Sequence, residues 1–226
     1  MGTNGQRLVV ITDGAAVANL VLFWRDQIPA DWQAIGPGKD RRIAAELPVN
    51  FGDVNRKATI NEQSVVVSGY GAAVVSNDYR NVDAIGQLGG ANPILGSLSN
   101  GLIQLLSAIP KVQPWGVQKF EWDPSARKLS SSWATTQVSC PNAIPTMSQT
   151  SQRFYCVGAY KGWWTIESLD RRAGTGSFRK VVGVLPRFNS FYAQTQLNDD
   201  GSVIYGSFNG VVYLPAQKQQ LDAAFR

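Results

Sequence analysis

Histidine is absent from all 226 residues, and cysteine occurs only at Cys140 and Cys156. Those two facts remove Ser-His-Asp and Cys-His catalysis, metal sites containing histidine, and zinc sites built from cysteines. Chemistry on this chain would have to run on carboxylates, lysine, tyrosine or arginine. Candidates of those types fall at turn positions: Asp13, Glu62, Asp78, Tyr160, Lys161 and Arg187, accompanied by the amides of Asn61, Asn189 and Asn209. Such a set suits a polar small molecule or a sugar. Glu62 and Asp78, buried together, could divide into acid and base if their pKa values were pushed apart. The plainer role for Asp13 and Asp78 is to bond their own backbone within turns. Glu62 fits that role less well, because Asn61-Glu62-Gln63 runs directly into the apolar stretch Ser64–Ser68. No metal site is expected, and no cofactor motif is recognisable.

Positioning these residues falls to short strands. Arg7–Asp26, Arg153–Asp170 and Ser202–Leu214 repeat one design, a strand, a Gly-bearing turn and a second strand. A hairpin repeated in this way cannot bury its apolar face alone and must stack on its neighbours. The clearest unit runs Ala143–Ser148, Arg153–Gly158, Trp163–Asp170 and Ser177–Val184. Four strands in about 40 residues is close to the period of a propeller blade. The next unit has three strands, Phe191–Asn198, Ser202–Gly206 and Val211–Leu214, with Asp-Gly and Asn-Gly supplying the positive φ that tight hairpins demand. Upstream, Ser64–Ser68, Ala72–Ser76, Val117–Asp123 and Lys128–Thr135 make a set of four, interrupted by an insertion over 78–115. Arg7–Thr12, Asn19–Arg25 and Arg42–Val49 supply strands two to four of a first unit.

The expected fold is therefore all-β, a β-propeller of four-stranded antiparallel blades. About three and a half blades are present in an incomplete ring. The units span approximately 1–50, 51–136, 137–184 and 185–216, followed by a tail over 217–226. Within the insertion, Ser99–Ile109 has a Ser/Asn start and an apolar run ending at Pro110, which reads as a short helix. It would act as a plug, a lid or a docking helix. With a strand missing at each end, the chain is expected to be the later part of a longer propeller. It would expose an apolar blade face and an unpaired strand edge, and so need further blades or self-association.

Three segments carry a family resemblance: WDPSARKLSSSW (Trp122–Trp133), SLDRRAGTGSFRKVVG (Ser168–Gly183) and DDGSVIYGSFNGVVYL (Asp199–Leu214). Together they resemble the strand–turn signatures of quinoprotein-dehydrogenase-like (PQQ-repeat) β-propellers. The resemblance implies the fold. It does not carry over quinone, calcium or dehydrogenase activity, because the adjacent Cys-Cys pair of those enzymes is missing here. The expected cofactor is none.

In such a propeller, the turns between second and third strands share a face with the connections between blades. That face gathers Asp13 and Asn19, Asn77 and Asp78, Tyr160 and Lys161, and Phe208 and Asn209. The connections add Asn61, Glu62, Gln63, Arg187 and Asn189. Trp24, Trp122, Trp133, Trp163 and Trp164 fall within strands and read as packing between blades; Trp115, after Pro114, reads as exposed. If the strands of the third unit pair about Gln149–Gln152, Cys156 lies opposite residue 145 and roughly 16 Å from Cys140, beyond disulfide range. Pro141 is the residue that could bend the chain back and close the gap.

The net charge of +5 is spread without a basic stripe, so nucleic acid is not an expected partner. No apolar run approaches the ~18 residues of a membrane-crossing helix, and Met1–Gly5 does not read as a signal peptide. The functional expectation is a non-catalytic binding or scaffold module of an exported protein, extracellular or periplasmic. It would recognise a small polar ligand or a protein partner on the funnel face. A carboxylate-based hydrolase acting on a sugar or other polar substrate is the alternative.

Overall fold

The computed structural model describes residues 7–12, 19–24, 28–33, 40–52, 63–68, 71–76, 116–138, 140, 144–190, 193–207 and 210–216. Fourteen strands run through them: β1 (Arg7–Thr12), β2 (Asn19–Trp24), β3 (Ile43–Pro48), β4 (Gln63–Ser68), β5 (Gly71–Ser76), β6 (Val117–Asp123) and β7 (Lys128–Thr135). They continue with β8 (Thr146–Ser148), β9 (Arg153–Tyr160), β10 (Trp163–Asp170), β11 (Gly176–Gly183), β12 (Thr195–Leu197), β13 (Val203–Ser207) and β14 (Gly210–Leu214). A single 3-10 turn, Pro186–Phe188, is the only helical element among the described residues.

The strands form four antiparallel meanders in chain order: β1-β2-β3, β4-β5-β6-β7, β8-β9-β10-β11 and β12-β13-β14. These are the four strand groups expected from the sequence, and the all-β class holds. The described sheets do not close on themselves. Each sheet packs face to face on the next. Leu20, Leu22 and Trp24 of β2 meet Phe120 and Trp122 of β6 in a first core. Val117 of β6 and Trp133 of β7 meet Phe154 and Cys156 of β9 and Leu169 of β10 in a second. Val157, Ala159, Trp164 and Ile166 of the third sheet meet Val203 and Tyr205 of β13 in a third.

The third sheet is thus buried on both faces. That explains why six consecutive residues of β9 and of β10 are buried and why strict polar–apolar alternation fails there. Trp164, fully buried, contributes on the order of 2–3 kcal/mol through its apolar area. Side-chain hydrogen bonds also tie connections to sheets. The Gln118 carbonyl of β6 accepts from the amides of Asn50 and Phe51, at 2.9 Å each.

Two strands are shorter than their sequence pattern suggests. Among the described residues of Ala143–Ser148 only Thr146–Ser148 form a strand, and among those of Phe191–Asn198 only Thr195–Leu197. Their leading residues pair elsewhere: Ile144 and Gln194 form an isolated parallel bridge that ties the third sheet's lead-in to the fourth. The spacing argument for the cysteines fails for the same reason. Cys140 and Cys156 form a disulfide with Cα atoms 5.6 Å apart. Ile144 pairs with Gln194 instead of extending the β9 ladder, so the 16 Å estimate, which assumed a continuous strand, does not apply. Both sulfurs lie inside the second core. The candidate helix Ser99–Ile109, Trp115 and the tail over 217–226 lie outside the described residues.

Candidate functional site

The β9–β10 hairpin turns in two residues, with Tyr160 opposite Trp163. Lys161 (φ 49°) and Gly162 (φ 82°) both lie in the left-handed region, as the tight turn between twisted strands requires. Glycine takes that conformation freely, while Lys161 is held there with its side chain exposed at the tip. Register places Tyr160, Trp163, Thr165, Glu167, Arg179 and Val181 on one face of the sheet.

That face is divided. Its far half, with Phe154, Cys156 and Leu169, is covered by the second sheet and the disulfide. The half nearer the turn is open at its rim, where Trp163 is 47% exposed and Val181 52%, while Thr165 between them is fully buried. Trp163 was expected to pack between blades, and this is a correction. It sits past the end of the covered half, at the first position of its strand.

Beneath the open half lies an ion pair. Glu167 is 1% exposed and directly opposite Arg179 in the β10–β11 register. Arg179 Nε donates to both carboxylate oxygens of Glu167, at 2.7 and 3.0 Å. Thr165 Oγ1 donates to Oε1 at 2.6 Å. Arg179 Nη2 donates to the Gln137 carbonyl at 2.8 Å, gripping the segment that leads to Cys140. The same guanidinium stacks 3.6 Å from the Tyr160 ring centroid, and Lys161 Nζ lies 5.3 Å from it. Burial pushes the Glu167 carboxyl above its ordinary range, and the bonds from Arg179 and Thr165 pull it part of the way back. With its oxygens occupied and no exposure, Glu167 is a support for Arg179 and not a free acid or base.

The residues singled out in the sequence divide among three outcomes. Tyr160 and Lys161 come together at this hairpin tip. Arg187 and Asn189 lie in the connection between β11 and β12; Arg187 sits over the Phe188 ring, 5.0 Å from its centroid. Asn189 is fully buried and presents no surface to solvent. Tyr205 donates its hydroxyl to the Phe188 carbonyl at 3.0 Å, anchoring that connection, and burial raises its pKa. Asp13, Asn61, Glu62, Asp78 and Asn209 lie outside the described residues, as do Asn77 and Phe208. Sequence reasoning missed Thr165, Glu167 and Arg179. The available signal was Thr165 and Glu167 alternating with Trp164 and Ile166, which places two polar groups on one face of an otherwise apolar strand.

Among the described residues, no group of three or more Cys, Asp or Glu could hold a metal ion. None of the described helices is long and apolar enough to cross a membrane.

No protein-family profile matches the chain. An uncharacterised protein of Archaeoglobus fulgidus is 42% identical over 216 residues, 95% of this chain and 40% of that protein. The chain therefore spans about two fifths of the length of that curated relative. The solved structure of YjhT aligns with 88% of this chain and 54% of its own, at a TM-score of 0.39 and 10% identity. A likeness at that level carries no argument about this chain.

Proposed function

We propose that this chain is a non-catalytic binding module of an exported protein, with the open half of the third sheet as its ligand surface. The carrying observation is the arrangement at the β9–β10 tip. Exposed Trp163 and half-buried Tyr160 stand side by side, with Lys161 and Arg179 close to the Tyr160 ring. Flat aromatic surface suits the face of a sugar or another planar body, while the cations suit an anionic group on it. The buried Glu167 fixes Arg179 in place, so little side-chain freedom is lost on binding. The ligand class is thus a small polar molecule that carries a carboxylate or sulfate beside a flat face.

Four face-packed meanders, with β8 and β12 linked through their leading segments, support the propeller reading of the fold. That reading keeps the PQQ-repeat resemblance as one of architecture. The buried disulfide supports export to an oxidising compartment. The hydrolase alternative rests on Glu62 and Asp78, and the geometry at Glu167 does not favour it.

Calorimetric titration with galacturonic acid oligomers, and with neutral galactose oligomers as the control, tests the binding reading. Binding of the acidic series alone, weakened at least about tenfold by Trp163→Ala, is the expected result. No heat with either series, or indifference to Trp163→Ala, overturns it.

A further inference from the structure

We propose that the end of the third sheet at the β9–β10 turn is a membrane-contact surface, resting on a bilayer that contains anionic lipid without crossing it. β11 ends at Gly183, opposite Trp164, so Val184 and Leu185 leave the sheet beside Trp163. Val184 is 46% exposed and Leu185 48%, next to the exposed rim formed by Trp163 and Val181. The aliphatic pair is held out by design of the turn and does not fray. The Phe188 N–H donates to the Leu185 carbonyl at 3.0 Å and closes the 3-10 turn. The Phe188 ring lies against Gly183, its carbonyl accepts the Tyr205 hydroxyl, and the next two residues, Asn189 and Ser190, are buried. The turn is thus fastened to the core on one side and presents Val184 and Leu185 on the other.

The charges around this apolar tip have one sign. Lys161 and Arg187 are exposed, and the Arg179 side chain is 30% exposed. The acids in the described parts of the third and fourth sheets are Glu167, Asp170, Asp199 and Asp200. Glu167 is buried against Arg179. Asp170 closes β10 at its far end, and Asp199 and Asp200 lie in the β12–β13 turn, also at the far end of the sheets. A tryptophan and aliphatic side chains flanked by Lys and Arg is the composition that settles at a bilayer interface. The indole sits at headgroup level, the aliphatic groups enter just below it, and the cations draw anionic headgroups.

The longer undescribed segments of the chain do not supply a complementary charge. Residues 77–115 hold two acids and two bases, 53–62 likewise two and two, and 217–226 one acid and two bases. Charge complementarity therefore points outside the chain. A bilayer also accepts such a tip without a matching shape, because lipid packs around the side chains that enter it. The proposal does not rest on the ligand reading: Val184, Leu185 and Arg187 take no part in that surface, and Trp163 borders both.

Co-sedimentation of the full chain with vesicles tests this, comparing phosphatidylglycerol–phosphatidylcholine at about 3:7 with phosphatidylcholine alone. The chain should pellet with the anionic vesicles only, and raising salt from about 0.1 M to about 0.5 M should weaken binding about tenfold or more. The Val184→Asp/Leu185→Asp double variant should weaken it about tenfold or more, with the circular dichroism spectrum unchanged. Arg187→Gln should weaken it about fivefold, and decides alone should the double variant misfold. A chain left in the supernatant with both vesicle types overturns the proposal, and is what closure of the patch by the chain's own segments would give. Equal binding to phosphatidylcholine alone overturns it too. So does binding indifferent to the double variant, because the contact must then lie elsewhere.

Discussion

Glu167 and Arg179 show how one buried charge is made tolerable: three hydrogen bonds engage both carboxylate oxygens, and a tyrosine ring covers the guanidinium. Removing one member leaves the other without its partner, which costs more than the pair contributes. Glu167→Ala should destabilise the fold by about 3 kcal/mol, read by chemical denaturation. It should also free Arg179 and loosen the surface proposed to bind ligand. The pH dependence follows from burial. A carboxyl whose folded pKa lies above its ordinary value of 4.5 favours the folded state most when protonated. Its contribution is therefore present at the acid end and is lost as pH rises through the folded pKa. Glu167→Gln should remove that part of the stability–pH slope; an unchanged slope would mean the carboxyl titrates normally. Asp40 acts in the opposite sense. The Arg42 guanidinium holds it down to about 2, so its contribution is lost as pH falls below the ordinary carboxylate range.

At the scale of elements, stability resides in the contacts that bind one meander to the next. Trp133 of β7 reaches across to the β10–β11 turn, where its indole N–H donates to the Arg171 carbonyl at 3.0 Å. Gly174 in that turn has φ 70°, and a Cβ there would sit 2.4 Å from the Trp133 ring. Gly174→Ala should therefore cost about 2 kcal/mol or more, combining backbone strain with overpacking. A neutral effect in thermal melting would show that the indole moves aside at no cost. The disulfide acts on a different connection, pinning Cys140 to β9 across a sequence separation of 16. Closing a loop of that length contributes about 3 kcal/mol through the unfolded state. The Cys140→Ser/Cys156→Ser double variant should then lower Tm by roughly 6–12 °C. A smaller shift would mean that the surrounding core already holds the connection.

The molecule as a whole is a succession of sheets whose cores each join consecutive neighbours. Stability in such an array is approximately a sum of unit and nearest-neighbour terms, so the units with two neighbours open last. Hydrogen exchange read by mass spectrometry should find β9 and β10 slowest, with β13 and β14 faster. Uniform protection across the four sheets would instead indicate a single cooperative unit.

Much of the strand inventory was legible in the residues themselves. Arg7–Thr12, Val117–Asp123, Lys128–Thr135 and Trp163–Asp170 match their pattern to the residue, because turn chemistry and apolar runs are local properties. Tyr160 and Lys161 were legible for the same reason, since a Gly-bearing turn announces itself. The ends of β8 and β12 were not, because Cys140, Ile144 and Gln194 are claimed by partners far along the chain. Nor was the pairing of Glu167 with Arg179. Register shifts flank it between Trp164 and Thr165 and between Ser168 and Leu169. Counting from the turn therefore does not give the opposing residue. Local sequence determined which segments became strands and where they turned. Tertiary packing decided which faces were buried twice, leaving Trp163 open and Glu167 closed, because a face is covered only when a neighbouring sheet arrives to cover it.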